Sequence, residues 1–389
     1  MSPLEQPELD QLSAEILQDL SQTAYACASL IPLSGGTCNF VFRGALAQPL
    51  SIGRDDVKLT KSVIVKHTTN FVSANRNFPL DASRCIFEES MLEALDSLKP
   101  SSTPHQFTIK TPRLYLFNRE TNTQVHEDFT DTTDLKSVFI SQNANDIRSQ
   151  SVATSIGHAL GAWTRSFHSW ASAPAQAQLR TEIANNKLMR ELKLKITYDS
   201  FVGVLEKFPD ILGHNREVLE EVKASALGEF GGPVANIGGD YWGIIHGDFW
   251  AGNVLVPNAL LPKLEAINLV VIDWELAQIG HRAYDLGQML GDLYERKHFK
   301  NVDGAVWAIE GFLEGYGPLD DDFAFRTAIH TGVHVLGWYN RRNPAAALRG
   351  TPEQIQSFVT FGRDLILKGW EKDKKWFEHS VFASLFQNS

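Results

Sequence analysis

Apolar residues change their spacing several times along the 389-residue chain, and each change marks a predicted element. Leu9, Leu12, Ile16 and Leu20 recur every three or four positions, so residues from about 8 to 30 read as helix with one apolar face. Ser34-Gly35-Gly36-Thr37 is a turn, and Phe40-Val41-Phe42 continues as strand. In the β-branched run from Ser62 to Thr69, alternation sets Val63 and Val65 on one face and Lys66 on the other. Arg84 to Leu95 reads as helix, and Lys110 to Asp131 as two strands across an Arg-Glu-Thr-Asn turn. From about 148 the period is helical, with Val152, Ile156, Leu160, Trp163 and Phe167 on one core face. Residues 177 to 226 also look helical, with a break at Phe208-Pro209, and a glycine-rich loop follows from Glu229 to Gly243. Two short apolar runs come next, Ile244-Ile245 before Asp248 and Ile267 to Ile272 before Asp273. Each ends in an acid, as two adjacent strands aiming carboxylates into one cleft would. The last third is helical, and Thr351-Pro352-Glu353-Gln354 supplies an N-cap, a first-turn proline and a capping-box glutamine.

So many residues exceed what one core usually serves, so two lobes are expected, with the junction near 128 to 134. A formal charge of −10 argues against a broad nucleic-acid surface. Such a field also suits a cationic substrate, although solubility alone accounts for it. Three cysteines without close pairs, Cys27, Cys38 and Cys85, exclude a disulfide framework and a multi-cysteine zinc site. The acidic N-terminus has no signal-peptide core, and no apolar run spans a bilayer, so a cytoplasmic protein is expected, with no membrane partner. Nothing in the sequence opposes a homodimer.

The stretch from Ile244 to Leu255, IIHGDFWAGNVL, and the later LVVIDWELAQIG carry the chemistry. Phosphoryl transfer asks for an acceptor of the attacking hydroxyl's proton, oxygen ligands for Mg²⁺ and positive charge on the phosphates. Asp248 suits the first task. Asn253, five residues on, offers a neutral amide oxygen, and Asp273 an anionic ligand. Protein kinases show the same Asp-x-x-x-x-Asn spacing followed by a metal-binding Asp, but with His-Arg-Asp and Asp-Phe-Gly where this chain has His-Gly-Asp and Asp-Trp-Glu.

At these residues the chain resembles the aminoglycoside phosphotransferase and choline kinase family of small-molecule kinases, which also contains methylthioribose kinase. HGDFWAGNVL is similar to the family's catalytic loop, and VIDWELAQIGHRAYDLGQML to its metal-binding segment and the helix after it. The resemblance implies an α+β, bilobal, protein-kinase-like fold. A small N-lobe over residues 1–128 would hold an antiparallel sheet and one helix, and a larger, mainly helical C-lobe would cover 129–389, with ATP between them. It implies transfer of the γ-phosphate of Mg-ATP to a hydroxyl of a small molecule, with Asp248 as the base. Asn253 and Asp273 would hold Mg²⁺, and Glu275 a second ion. The turn residues Ser34, Gly35, Gly36 and Thr37, with Asn39, would face the phosphates, as would Lys66. Glu88 is the favoured partner of Lys66 and Glu89 the competitor, since helical geometry alone does not separate them. Glu127, Asp128 and Phe129 would lie along the adenine.

Asp285 is expected to cap or pair with the catalytic loop, His246 to orient it, and His158 and His168 to be structural. The acceptor pocket would draw on Trp274, His330, His334, Trp338, Arg341 and Arg342, although a core helix with a solvated basic end explains the last five equally well. The alternatives are a protein kinase, for which no Ala-Pro-Glu element is present, and a non-catalytic nucleotide-binding pseudokinase.

Overall fold

A five-stranded antiparallel sheet forms around residues whose alternate side chains are apolar. In the computed structural model its order is Cys27–Pro32, Phe40–Ser51, Leu59–His67, Thr123–Glu127, Leu114–Asn118. The structure describes residues 3–33, 36–51, 59–98, 101–102, 107–141, 149–232, 239–258, 267–341 and 350–387. Phe40, Phe42, Val63, Val65 and Val125 put one face of the sheet into a core that Ile16 and Leu20 of the helix Gln6–Leu20 close. That helix ends ten residues earlier than its apolar period suggests. Thr23 turns back on the last turn, its hydroxyl and amide both donating to the Leu20 carbonyl. Residues Cys27–Pro32 then run as an edge strand opposite Phe40–Ser51, where Pro32 costs no ladder hydrogen bond on the open side. With the helix Arg84–Leu95 this unit carries two helices among the described residues, not the single one expected.

Two compact units divide the chain, Met1–Asp96 with Pro112–Thr130, and Ser97–Thr111 with Asp131–Ser389. Residues 97–111 belong to the second unit although they precede 128 in the chain. The reason is pairing: Phe107–Lys110 lies parallel to Ile267–Val271. The second unit is mostly helical and holds a mixed sheet ordered Thr132–Asp134, Val254–Pro257, Ile267–Val271, Phe107–Lys110, Ser101–Ser102. The region from 177 to 231 is five short helices, Ala177–Ile183, Lys187–Ile196, Phe201–Leu205, Pro209–Leu212 and Arg216–Gly231. Thr351 caps Pro352–Trp370 with the capping box that its sequence spells, Thr351 Oγ1 accepting from the Gln354 amide at 3.2 Å. Among the described residues no helix is long and apolar enough to cross a membrane.

A glycine stripe missed by the periodicity joins two helices of this unit. Gly157 and Gly161 of Gln150–Ser172 face Gly311 and Gly315 of Asp303–Tyr316. A β-carbon on Gly161 would stand 2.0 Å from the Phe312 carbonyl oxygen, and one on Gly311 2.1 Å from that of Thr154. The backbones therefore touch, and only hydrogen fits between them. Gly161→Ala is expected to cost about 2–3 kcal/mol by forcing the helices apart. The check is a lower urea midpoint at unchanged m-value; a parent-like midpoint would show that the helices separate freely.

Candidate active site

Glycine begins the loop that carries Asp248. The strand Trp242–Ile245 pairs antiparallel with Gln278–His281 and delivers His246 and Gly247. Gly247 has φ +79°, and a β-carbon there would lie 2.2 Å from the Leu276 carbonyl oxygen, so the turn needs glycine on both counts. Asp285, in the first turn of Ala283–Lys300, accepts the backbone amides of His246 at 2.9 Å and Gly247 at 3.0 Å. It also accepts His168 Nε2–H at 3.0 Å, while His168 Nδ1 accepts the Tyr316 hydroxyl at 3.1 Å. Asp285 is thus the pairing group of the loop, and His168 the group that holds Asp285.

Burial pushes the Asp285 carboxyl up, but the hydrogen bonds from His168 and from the His246 amide outweigh it and hold the group below the usual carboxylate range. Burial pushes the His168 imidazole down and leaves it neutral, against the pull of Asp285. His246 is also pushed down by burial, against the nearby Asp285 and Asp248 charges. Its tautomer follows from its partners: Nδ1 accepts the Asp248 amide at 3.2 Å, so Nε2 carries the proton and donates to the Ile272 carbonyl at 3.0 Å.

The two acid-bearing strands are not neighbours, contrary to the expectation. Trp242–Ile245 belongs to the two-stranded sheet, whereas Ile267–Val271 pairs with Val254–Pro257. The loops still meet, because the strand after Asn253 is the one that returns alongside the strand before Asp273. Val254 stands opposite Val271, and the Ile272 amide donates to the Asn253 carbonyl at 3.0 Å. Ile272 is therefore bonded to His246 on its carbonyl and to Asn253 on its amide, one residue before Asp273. Asp273 itself is left-handed, φ 71° and ψ 64°, a conformation uncommon outside glycine, asparagine and aspartate.

Asp248 is enclosed by donors. Oδ2 accepts Asn253 Nδ2 at 3.1 Å and Trp250 Nε1 at 3.2 Å, and Oδ1 accepts Gln288 Nε2 at 2.5 Å. The second Asn253 Nδ2 bond goes to the Asp248 carbonyl at 2.9 Å, so both donors of that amide are committed and Oδ1 of Asn253 is the atom left for a cation. An amide oxygen beside one carboxylate suits Mg²⁺, which keeps several waters and takes most of its ligands from phosphates. Among the described residues no three His, Cys, Asp or Glu side chains gather into a metal cage of their own. Glu275 lies in the short turn Trp274–Leu276 and is buried.

The other unit holds the lysine. Lys66, 6% exposed, pairs with Glu88, 2% exposed, at 2.9 Å to Oε1 and 2.8 Å to Oε2. Glu89 goes to Arg119 at 2.6 Å, which separates the two glutamates. Nothing in the periodicity pointed to Arg84. Buried in the same helix, it donates to the carbonyls of Thr69, Leu80, Asp81 and Cys38 and to Asn39 Oδ1 at 2.8 Å. The Asn39 oxygen is therefore tied to the framework. The Thr37 carbonyl accepts the Ala74 amide at 3.1 Å and Ser73 Oγ at 3.0 Å. Gly36 is exposed, and Ser34 and Gly35 lie outside the described residues. The Asp128 side chain accepts Arg43 Nε at 2.9 Å and Ser62 Oγ at 2.6 Å, fastening the end of Thr123–Glu127 to two neighbouring strands. Glu127 Oε2 accepts the Arg113 amide at 3.3 Å, and Phe129 is half-buried.

Three of the residues assigned to an acceptor pocket, Trp274, His330 and His334, are buried. Trp274 is fully buried against His246, with ring centroids 4.4 Å apart, and Phe167. His330 is buried with Nδ1 on the Tyr198 hydroxyl, and His334 packs over Gly291. A histidine every fourth position on Asp321–Arg341 follows the helix face that meets Ala283–Lys300, and burial there follows from the packing. Arg342 and the side chains of Trp338 and Arg341 lie outside the described residues.

Asp248 and Asn253 thus share one loop, and that loop is tied through Ile272 to the residue before Asp273. Residues 76–321 match the family model described as the phosphotransferase enzyme family, and the chain belongs to that family. It is 33% identical over 390 residues to the phosphotransferase FrzJ of a Cladobotryum species, covering 97% of each chain. It is 19% identical over 312 residues to the 4-hydroxytryptamine kinase of Psilocybe cubensis, covering 79% of each. Among solved structures, a choline/ethanolamine kinase family protein from Mesorhizobium loti aligns with a TM-score of 0.46 at 14% identity, over 96% of this chain and 99% of that one.

Proposed function

We propose that this phosphotransferase moves the terminal phosphate of Mg-ATP to a hydroxyl group of a small molecule. The observation that carries the reading is the pair of bonds on Ile272, which ties the Asp248–Asn253 loop to the residue before Asp273. In the proposed step the acceptor oxygen forms a bond to the γ-phosphorus, the bond from that phosphorus to the β–γ bridging oxygen breaks, and the hydroxyl proton passes to Asp248. Asn253 Oδ1 and the Asp273 carboxylate would hold Mg²⁺, which when bound neutralises phosphate charge and fixes the phosphates in line. Lys66, kept extended by Glu88, is assigned to the phosphates of the nucleotide. The relatives named 4-hydroxytryptamine kinases carry in their name an acceptor with a ring hydroxyl and an amine, so hydroxylated amines head the candidates.

The test is ATP consumption by the purified chain with Mg²⁺ across hydroxylated amines, amino alcohols, sugars, aminoglycosides and a protein acceptor. The expected result is acceptor-dependent ADP release with at least one small hydroxyl compound and none with the protein. Nucleotide binding without turnover on any acceptor would replace this reading with a non-catalytic one.

A further inference from the structure

Two of the three donors on the Asp248 carboxylate come from its own loop, but the third comes from Gln288, forty positions away on Ala283–Lys300. Gln288 is 4% exposed, and its other amide atom, Oε1, accepts the ammonium of Lys193, itself 2% exposed on the helix Lys187–Ile196. We infer that Gln288, oriented by Lys193, is a positioning residue that aims Oδ1 of Asp248 at the acceptor hydroxyl. The inference rests on the phosphoryl-transfer reading above.

Oδ2 receives two donors and Oδ1 one, and a carboxylate oxygen has about two acceptor directions. Oδ1 is therefore the oxygen with a direction still open to a proton. The loop's own donors both act on Oδ2, so without Gln288 the carboxylate can turn about that oxygen and carry Oδ1 off its line. An amide alone does not settle which end faces Asp248, because its oxygen and nitrogen are nearly the same size. Lys193 settles it. The ammonium has only donors, so it takes Oε1 and leaves the NH₂ group for the carboxylate. It also polarises the amide and strengthens the bond that the amide donates, which is the cooperative effect of a hydrogen-bond chain at low dielectric.

The test is steady-state kinetics on Gln288→Leu, Gln288→Glu, Lys193→Met, Lys193→Arg and the Gln288→Leu/Lys193→Met pair, using ATP and the best acceptor from the screen. Gln288→Leu should lower kcat about 10–100-fold, the scale of a small misplacement of a reacting group. KM for ATP and for the acceptor should stay within about threefold of the parent, because the residue touches neither. Gln288→Glu, which sets a second carboxylate against Asp248, should be at least as slow. Lys193→Met should lower kcat in the same direction, Lys193→Arg should restore most of it, and the double variant should be no slower than Gln288→Leu alone. Should Gln288→Leu fail to fold, the Lys193→Met and Lys193→Arg pair carries the same test. A kcat within twofold of the parent, a loss confined to KM, or multiplicative losses in the double variant would overturn the inference. Asp248→Ala is measured in parallel: if it keeps turnover, the role of Asp248 is wrong, whereas its inactivity beside a normal Gln288→Leu sinks only the present inference.

Discussion

Asp248→Ala is expected to abolish transfer, with kcat lowered about 10³-fold or more, the upper range for loss of a general base, while Mg-ATP binds within a few-fold of the parent. Binding should survive because the groups assigned to the metal and the phosphates, Asn253, Asp273 and Lys66, are other side chains. Asp248→Asn is not a mild version of the change. All three side-chain contacts on the carboxylate are N–H donors, from Gln288, Trp250 and Asn253, so an introduced amide NH₂ must face one of them donor to donor. Lys193 prevents Gln288 from reversing to accept it. The asparagine variant should therefore be as inactive as the alanine variant and show some loss of stability. The measurements are turnover, nucleotide affinity by calorimetry and a urea midpoint. Loss of nucleotide binding together with a collapsed midpoint would mean that Asp248 holds the loop and not the proton.

The meeting of the Asp248–Asn253 loop with the strand before Asp273 was legible from short spacings, five residues within one loop and one residue past a β-branched strand. Lys66 was legible for a similar reason, since strand alternation and its place after a glycine turn pick it out. Its partner was not, because Glu88 and Glu89 are adjacent on a helix. Arg119, thirty residues further on, takes Glu89 and leaves Glu88 to the lysine. The same limit hid Gln288 and Lys193, whose meaning exists only when two helices and a loop bring positions 193, 248 and 288 together. Trp274, His330 and His334 are buried: the two histidines lie against Gly287 and Gly291 of Ala283–Lys300, and Trp274 packs on Trp163, Phe167 and His246. Residues 27–30 of the strand Cys27–Pro32 fall inside the predicted helix because the period of the preceding apolar face extends past Thr23, where a side chain closes the last turn.

Acidification should destabilise the fold well before its carboxylates begin to protonate. Burial pushes the imidazoles of His67, His168, His246, His281 and His298 below the ordinary histidine value of 6.5, and His281 is pushed down to about 2. Each is held neutral in the folded protein, while in the unfolded chain each takes up a proton as pH falls through about 6.5. Over that window the unfolded state binds more protons, so stability is lost as pH falls. Each such proton is worth up to about 1.4 kcal/mol per pH unit. Asp285 adds a second, lower window. Its folded carboxyl lies below the ordinary aspartate value of 3.8, so the stability it contributes is present above that pH and lost as pH falls through its folded value. Urea midpoints between about pH 7 and 5, with proton uptake on unfolding measured by potentiometry, check the first window. A slope smaller than one proton's worth would show that these rings are not held neutral. His281→Asn removes one titrating ring while keeping an acceptor for the Ala283 amide, and it should flatten the slope by up to one proton's worth, about 1.4 kcal/mol per pH unit. His168 and His246 cannot be replaced as cleanly, because their neutral tautomers hold Asp285 and the Asp248 loop. The same proton refusal that makes the fold acid-labile keeps those two bonds in place at neutral pH.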